Sequence, residues 1–496
     1  MRLLSPFLVI LLWPVILSAR QITIGQAGDY ARLSDLNELI TAGDTLLLLD
    51  ALYQDGTQFL ENWHGSAQAP VVIQPASGHT VIFRGGTEAL HLVSCSYVVI
   101  EGLIVEQQTG NGINIDDGGN YDVPTHHITL RNCVFRDMAA DGNNDLLKLS
   151  GLDDFLVEQC TFINGGDGGS GIDMVGCHHG TIQDNYFDRA GVSGIQAKGG
   201  TQYILIQRNI LKDMGQRAVN LGGSTGLEYF RPPLSNPIRD AFEAADLDVY
   251  SNVFVGTWSP IAYVGSIRVN VINNTIYHPE NWVFRILQET TEPGFLACAN
   301  NVFQNNLIVL EHDLTEVNVG PNTDPESFTI SHNLWFNEST DNWSPTLPVN
   351  DPAQLTGDPL LFDPENGDFQ PAPVSPVIGK GKSGNGPETD FLGKPFQDPP
   401  SIGAIEGSMA TTLRHNTQLQ EALEISPSIG HDYVKIRIPV TEGMLQIVSV
   451  DGRLLEIHTV RSQDIRVDIS QYPAGIYWAT WLAPHGKSIT GKFIKE

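Results

Sequence analysis

Charged residues are scarce in this chain of 496 residues, and the basic ones are the scarcer kind. The 28 Lys and Arg residues face 57 Asp and Glu residues, so the formal net charge is −29. A surface of this sign repels nucleic acids and anionic membranes, and we expect neither as a partner. The balance fits a secreted protein, or one that binds divalent cations.

Long apolar runs are also missing beyond residue 19. A membrane-spanning helix needs about 20 consecutive apolar residues, and only Leu3–Leu17 approaches that length. This run follows Arg2 and precedes the small residues Ser18 and Ala19, which is the order of a secretory signal peptide. We therefore predict a signal peptide over residues 1–19 and a secreted or cell-surface protein without a membrane span.

Cysteine is rare, with five residues in the whole chain and no Cys-x-x-Cys or Cys/His spacing that would suggest zinc. An odd number leaves at least one cysteine without a partner in the chain. Cys133 and Cys160 hold the same place in consecutive repeats, at a separation of about 4.8 Å. Two interpretations stay open for this pair, a disulfide and two stacked buried thiols.

What the sequence does contain is a repeat between Val98 and Trp335 of short apolar alternations, each followed by a turn residue. The turn residues of the nine copies are Gly102, Cys133, Cys160, Asn185, Asn209, Asn252, Asn274, Asn306 and Asn333. Their spacing is 22 to 32 residues, except for one step of 43 that marks an insertion. Because the alternation has a period of two, the copies are strands, and their regular recurrence predicts a solenoid. Asn tolerates left-handed backbone, and its amide can bond the Asn on the next coil.

The predicted fold class is therefore all-β, a right-handed parallel β-helix over residues 20–407. A short capping helix over 33–42 would cover its open end. Residues 408–424 lose the repeat and are predicted to be a linker. Alternating strands and an Asp451-Gly452 hairpin turn predict a small antiparallel β-sandwich over 425–496. We expect a monomer.

Motifs at both ends of the chain resemble known families. The segments VDGRLL, YPAGIYWATW and GKFIKE are similar to the C-terminal sorting domain of the type IX secretion system. That resemblance implies the outer-membrane secretion machinery as a partner. The opening AGDTLLLL with Tyr53, and the closing segments GDPLLFDPENGDFQPAPVSPVIGKG and IGAIEG, resemble the chondroitinase-B-like and pectate-lyase-like polysaccharide lyase superfamily. This second resemblance implies a β-helix that acts on an extracellular acidic polysaccharide.

Polar residues recur at one outward position of the second strand in each repeat. Because strand side chains alternate, we expect these residues to form one row on one face: Asn114, Lys148, Asp173, Gln196, Asn220, Ala262 and Arg285. Lys198 belongs to the next outward row, and Arg217 comes shortly before Asn220. The insertion over 222–246 would line the same groove with Tyr229, Arg231 and Arg239. The predicted substrate-binding residues are Lys148, Gln196, Asn220, Tyr229, Arg231 and Arg285.

This face suggests β-elimination at a uronate, which needs a base and a cation that neutralises the sugar carboxylate. Lys198 is the predicted base, and Arg217 is its predicted neighbour, expected to disfavour its ammonium form and to stabilise the intermediate. Calcium is the predicted cofactor, because hard oxygen ligands cluster in two loops and one strand: Asp141, Asn143, Asn144, Asp145, Asp167 and Asp173. In the lyase families, Lys or Arg with calcium recurs on this face, so the resemblance implies the same chemistry.

Two other functions stay open. A glycoside hydrolase would use two carboxylates flanking the bond, and Asp116 and Asp173 offer themselves, about 10 Å apart by strand spacing. The chain lacks the Gly-His-Gly and Arg-x-Lys motifs of the β-helix polygalacturonases, however. The other alternative is a non-catalytic solenoid on the cell surface that binds glycans or acts as an adhesin.

Overall fold

The computed structural model describes residues 19–54, 56–408, 423–438, 443–449, 454–482 and 488–495. The predicted signal peptide up to residue 18, the predicted linker between 409 and 422 and the Asp451-Gly452 turn lie outside these residues. Among the described residues, no helix has the length and hydrophobicity that a membrane crossing requires.

The chain coils into three long parallel sheets, here named A, B and C, as the repeat predicted. The strands of sheet A are Gln21–Ile24, Thr45–Leu48, Val71–Pro75, Ser96–Glu101, Thr125–Arg131, Leu152–Asp153, Leu156–Glu158, Thr181–Gln183, Leu205–Gln207, Asp248–Tyr250, Asn270–Ile272, Val302–Gln304 and Thr329–Ser331. Those of sheet B are Leu52–Tyr53, Val81–Arg84, Leu103–Glu106, Val134–Arg136, Thr161–Ile163, Tyr186–Asp188, Ile210–Lys212, Val253–Val255, Thr275–Tyr277, Leu307–Leu310, Leu334–Asn337 and Leu355–Thr356. Those of sheet C are Gln58–Glu61, Leu90–Val93, Ile113–Asp116, Leu147–Ser150, Ser170–Val175, Ser193–Lys198, Arg217–Gly222, Ile261–Val264, Phe284–Leu287 and Val317–Val319.

Smaller elements complete the solenoid. Three short parallel strands line one corner, Thr201–Gln202, Ala244–Ala245 and Ser266–Ile267. An antiparallel pair, Leu361–Asp363 and Asp368–Pro371, follows the last coil. The helical elements are single 3-10 turns at Leu33–Leu36, Leu227–Tyr229, Pro325–Ser327 and Pro364–Asn366.

The predicted capping helix is shorter than the interval 33–42. Only Leu33–Leu36 is helical, and it is a 3-10 turn that buries Leu33 and Leu36. Two apolar residues three apart suit a helix with three residues per turn. The strand Gln21–Ile24 pairs in parallel with Thr45–Leu48, so the coils begin before the capping turn.

Inward-facing side chains stack in columns, because consecutive coils are in register. The rings of Phe135, Phe162 and Phe187 lie nearly parallel, with centroids 4.9 and 4.6 Å apart. All three are fully buried. A phenylalanine buried this completely contributes about 2–3 kcal/mol relative to an exposed one. The core is therefore a continuous set of ladders along the solenoid.

A ladder of asparagines turns the corner between sheets A and B, as predicted. Each amide nitrogen donates to the amide oxygen one coil further on, at 3.0–3.2 Å, through Asn185, Asn209, Asn252, Asn274, Asn306 and Asn333. The final amide donates to the Asp351 carboxylate, 3.1 Å away.

The left-handed residue at this corner precedes the ladder position, which corrects the sequence interpretation. Arg208 and Asn273, for example, have φ of 54° and 55°, whereas the buried amides of Asn209 and Asn274 form the ladder. The predicted alignment was also off by one at Gly102. Val134 pairs with Ile104, so Gly102 lies opposite the left-handed Asn132 and not Cys133.

All five cysteines are buried free thiols. Cys133 and Cys160 therefore follow the second interpretation, two stacked thiols. Each Sγ lies against backbone carbonyls, at 3.4 and 3.8 Å for Cys133 and at 3.3 and 3.7 Å for Cys160.

The C-terminal region forms two small, mainly antiparallel sheets, in agreement with the predicted sandwich. One contains Glu424–Ser426, Tyr433–Arg437 and Asp464–Asp468, and the other contains Ile429–Gly430, Met444–Ser449, Leu454–Thr459, Gly475–Leu482 and Ser488–Lys495. Ile476 and Ile494 pack with Tyr186 of sheet B, and Lys492 forms an ion pair with Asp184 at 3.0 Å. The sandwich thus rests on sheet B and leaves sheet C uncovered by these contacts. Its role as a sorting domain stays a prediction.

Candidate functional site

Sheet C carries the predicted outward row, and its pairing register matches the sequence alignment at every step. The row runs through Asn114, Lys148, Asp173, Gln196, Asn220, Ala262 and Arg285, each opposite the next. It continues to Phe59 and His91 on one side and Asn318 on the other. Side chains distant in sequence therefore lie about 4.8 Å apart along this face.

The insertion over 222–246 folds back over sheet C and forms one wall of a groove. Buried Glu243 fixes it at its base, because its carboxylate accepts hydrogen bonds from the backbone nitrogens of Gly199 and Thr225, both at 3.0 Å. The groove has a volume of about 600 Å³. Its lining includes Tyr121, Asn143, Lys148, Ser150, Val175, Lys198, Thr225, Tyr229 and Arg231.

Arg231 anchors this wall by crossing positions that have no side chain. A Cβ at Gly176 would lie 2.5 Å from the Arg231 Cβ, and one at Gly200 would lie 2.3 Å from its backbone oxygen. Both glycines also have left-handed φ, 59° and 87°. The guanidinium pairs with the buried Asp117 carboxylate. Arg231 was predicted to bind substrate. Its guanidinium is instead engaged mainly in the ion pair that holds the wall.

A buried ion cluster forms the floor of the groove. Asp173 is almost fully buried, and its carboxylate pairs with both lysines: Lys198 Nζ at 3.2 Å and Lys148 Nζ in a closer contact. Lys148 Nζ also lies 3.5 Å from Asp145. Only 12% of the Lys198 side chain is exposed. The row alignment therefore placed Lys148, Asp173 and Lys198 together correctly.

The predicted calcium ligands divide between a buried ion cluster and exposed loops, and calcium binding stays a prediction. The Lys148 ammonium lies between the carboxylates of Asp145 and Asp173, which is the position a cation would need. Asp141, Asn143 and Asp167 are exposed in their loops. Within the described residues, no group of three or more His, Cys, Asp or Glu side chains is arranged to hold a metal. The donor set fits a resident ammonium better than calcium, because a buried ion needs compensating charge and Lys148 already supplies it.

Asp145 is the acid whose titration this arrangement changes most. Burial and the adjacent charge of Asp173 raise the pKa of Asp145 to about 7. Among the described residues, one oxygen each of Asp145 and Asp173 is buried without a hydrogen-bond partner. A proton on Asp145 reduces the repulsion between the two acids. The cluster thus gains positive charge as the pH falls through neutrality.

Replacing Asp145 with asparagine is expected to flatten the dependence of stability on pH. Between about pH 4 and pH 7 the folded protein holds a proton on Asp145 that the unfolded chain has lost, so stability falls as pH rises. The variant lacks this penalty. As the pH rises from 5 to 8, we expect its free energy of unfolding to increase relative to that of the natural protein by on the order of 2 kcal/mol. Unfolding measured at both values checks this, with exposed Asp141→Asn as control. An equal pH dependence in Asp145→Asn and the natural protein would contradict the assignment.

Arg217 does not lie beside Lys198, which corrects the predicted pairing. It lies opposite Ser193, whereas Ala197, next to Lys198, lies opposite Leu221, so the two residues are roughly 16 Å apart along the strands. The guanidinium binds Asn220 Oδ1 at 3.0 Å and Glu289 at 2.8 Å. Sequence alignment fixed its strand but not the direction of its long side chain. The charged group beside Lys198 is the Asp173 carboxylate and not the guanidinium that the sequence predicted.

The remaining predicted residues divide between the groove and its surroundings. Tyr229 stands at the rim with 63% of its surface exposed. Asn220 is buried under Arg217, and Arg239 is exposed outside the groove lining. Sequence reasoning missed Tyr121 and Asp117 as residues of this site. Asp117 precedes a polar turn and Tyr121 lies within it, and the residues of this turn do not recur in the other coils.

The carboxylates suggested for a hydrolase are both engaged elsewhere. Asp116 binds His91 Nε2 at 2.7 Å, and Glu88 binds the other ring nitrogen at 3.0 Å. The hydrogen bonds that His91 donates to Asp116, and to a lesser extent to Glu88, raise the pKa of His91 to about 9. Asp173 lies under two lysines. The pair does not present two free carboxylates across one bond, which weakens the hydrolase alternative.

Comparison with known proteins supports the fold. A family model described as a right handed beta helix region matches residues 76–231. No curated protein sequence matches the chain. Similar solved structures include the pectate lyase Pel9A, at 14% identity over 76% of this chain and 91% of that one, with a TM-score of 0.44.

Two further solved structures belong to the same group of matches. A PL6 family polysaccharide lyase from Pseudopedobacter saltans has 14% identity over 77% of this chain and 98% of that one, with a TM-score of 0.44. The A-module of a mannuronan C-5 epimerase from Azotobacter vinelandii has 15% identity over 64% and 91%, with a TM-score of 0.42. At these identities we take no activity from them.

Proposed function

We propose that the groove on sheet C binds a uronate-containing polysaccharide and cleaves it by β-elimination. The observation that carries this proposal is a pair of lysines, Lys148 and Lys198, that line the groove and share the buried carboxylate of Asp173. Buried lysines held in place by one acid are preorganised to meet an anion. The groove itself is open at the rim, where Tyr229 exposes its ring to a sugar.

Lys148 is assigned the task of neutralising the sugar carboxylate. Burial disfavours its ammonium form, but the charges of Asp173 and Asp145 outweigh burial and raise the pKa of Lys148. It therefore stays protonated across neutral pH. A fixed ammonium next to the uronate carboxylate stabilises the enolate-like charge that develops when the neighbouring carbon loses its proton. No step in this scheme uses calcium.

Lys198 is assigned the proton transfer. It is the less tightly held of the two lysines, with one carboxylate contact at 3.2 Å. In its neutral form it takes the proton from C5 of the uronate. The C5–H electron pair becomes the C4=C5 double bond, and the glycosidic oxygen leaves C4 and takes up a proton from the medium. Proton transfer by a positioned side chain of this kind typically contributes a factor of about 10²–10⁴ to the rate.

A non-catalytic glycan-binding solenoid remains the second candidate, and one observation favours it. Asp173 lies against both lysine side chains, and an adjacent carboxylate stabilises an ammonium ion. Two lysines that act only as positive charges would hold an acidic glycan without breaking it. The two candidates share the groove and the ligand and differ only in whether Lys198 exchanges its proton.

Export to the cell exterior is part of the proposal, because a polysaccharide substrate is found there. The apolar run after Arg2 and the resemblance of residues 425–496 to a sorting domain support it. Among the described residues, the sandwich contacts sheet B and not the groove.

Incubating the full chain with polygalacturonate, alginate and chondroitin sulfate separates the candidates. A lyase produces ultraviolet absorbance from the unsaturated uronate, and we expect this signal with one of the three, unchanged by a chelator. New reducing ends without absorbance would indicate hydrolysis and contradict the proposal. Retention on an immobilised polysaccharide without either signal would establish the binding module.

A further inference from the structure

We propose that Arg217 and Arg285 form a second subsite on sheet C, which binds a carboxylate or sulfate carried by the same polysaccharide chain. This inference rests on the proposed function for its polymeric ligand. The subsite itself is defined by two guanidiniums, two tryptophans and a single carboxylate, all outside the lysine groove.

Arg285 is held rigidly with its charge available. Its guanidinium lies 4.3 Å from the ring centre of Trp282 and 5.8 Å from that of Trp258. The two rings meet edge to face with centroids 4.5 Å apart. Arg285 Nε donates to Asn318 Oδ1 at 3.0 Å. Within the described residues, neither terminal nitrogen of Arg285 has a carboxylate partner, so stacking fixes the group without neutralising it.

Arg217 brings a second positive charge to the same place. It lies on the strand two steps from that of Arg285, three residues before Asn220, and reaches Asn220 Oδ1 at 3.0 Å. Glu289 pairs with one of its terminal nitrogens at 2.8 Å. Its Nε is buried and has no hydrogen-bond partner among the described residues. An anion bound beside the second cation would supply the oxygen that this buried donor can meet.

The charges at this place are unbalanced. In the part of the chain that the structure describes, the two guanidiniums meet one carboxylate, that of Glu289, which is 36% exposed. Burial and the charge of Arg217 lower the pKa of Arg285, which shows that the two cations repel one another. An anion between them would relieve this repulsion, and the planar guanidiniums match the geometry of a carboxylate or sulfate. In a chain of net charge −29, such a local excess of positive charge is unusual.

The sheet register sets the distance from the groove. Gln196, Asn220, Ala262 and Arg285 are successive neighbours, so Arg285 lies three strands, or about 14 Å, from the coil that carries Lys198. A single polysaccharide lying across the coils can reach both sites. The subsite would therefore select chains with anionic groups on separate sugars and favour long substrates over short ones.

Small anions test the subsite without the polymer. We expect galacturonate and inorganic sulfate to change the fluorescence of Trp258 and Trp282, with the better-bound ion identifying the natural group. The anion affinity obtained from this fluorescence change should fall at least tenfold in Arg285→Gln and stay unchanged in Lys198→Gln. Arg268→Gln is the matched control, because it removes an equal charge from a surface pair with Asp246. No response in the natural protein, or an equal response in Arg285→Gln, would overturn the subsite.

Polymer binding separates this inference from the proposed function. If polygalacturonate binds, Arg285→Gln should weaken binding of the long chain at least tenfold and leave the binding of a disaccharide to the lysine groove unaffected. Loss of polymer binding in the lysine variants alone would refute the subsite and leave the groove intact. A retained anion response without any polymer binding would refute the proposed function and leave the subsite standing.

Discussion

If the proposed lyase activity is present, replacing Lys198 with glutamine is expected to lower kcat at least a hundredfold on the polysaccharide that is cleaved. Glutamine is one atom shorter than lysine but keeps a hydrogen-bond donor toward Asp173, and it cannot take a proton. Because a positioned base typically contributes about 10²–10⁴ to the rate, the loss should fall mainly on kcat. The change in KM should be smaller, since Lys148 still meets the substrate. Initial rates of ultraviolet absorbance over a range of substrate concentrations measure both constants.

Lys380→Gln is the control for this experiment, because Lys380 is exposed on the closing coils far from sheet C. It removes the same charge and should leave the rates unchanged. A Lys198→Gln protein that folds and retains its full rate would exclude Lys198 as the base. A rise in KM at constant kcat would assign Lys198 to binding alone.

Replacing Asp173 with asparagine is expected to cost about 3 kcal/mol of unfolding free energy. Asp173 is the shared partner of Lys148 and Lys198, and removing one member of a buried pair leaves the other charges uncompensated, at a typical cost of about 3–5 kcal/mol. Asp145 can still pair with Lys148, which places the expected value at the lower end. Chemical unfolding of the two proteins measures the difference.

Asp167→Asn provides the matched control, since Asp167 is exposed in a loop and should tolerate the change within about 0.5 kcal/mol. A second variant that also carries Lys198→Met should recover part of the loss, because it removes the ammonium that loses its Asp173 partner while Lys148 keeps Asp145. Equal stability of Asp173→Asn and the natural protein would show that the cluster is hydrated and not a buried network.

The row on sheet C was predictable from sequence because strand geometry leaves little freedom. Once the repeats are aligned, alternation fixes which residues face outward, and parallel pairing fixes which of them are neighbours. Lys148 and Asp173 were brought together in this way. Side-chain direction follows no such rule. Arg217 lies on the predicted strand, yet its flexible side chain reaches Glu289, 72 residues later, and not Lys198.

Contacts made by the insertion were also beyond the sequence. Arg231 meets Asp117 across 114 residues, and neither residue belongs to a repeat. At the corner with the asparagine ladder, the sequence also did not reveal which of two adjacent residues has the left-handed backbone. Both an amide for the ladder and a left-handed residue are needed there, and the sequence places them in adjacent positions. Apolar alternation alone does not tell the two apart, which is why Gly102 was assigned one residue out of step.

The passage of Arg231 over Gly176 and Gly200 separates the scaffold from the surface that a ligand meets. Three features fix the wall: the bare solenoid backbone beneath the arginine, the Asp117 carboxylate paired with its guanidinium, and Glu243 near the end of the insertion. Residues 224–230 carry none of these duties except the Thr225 bonds to Glu243. Residues 224–230 can therefore be substituted, in evolution or by design, without disturbing the rest of the molecule. Such changes would alter which sugar the proposed binding groove prefers.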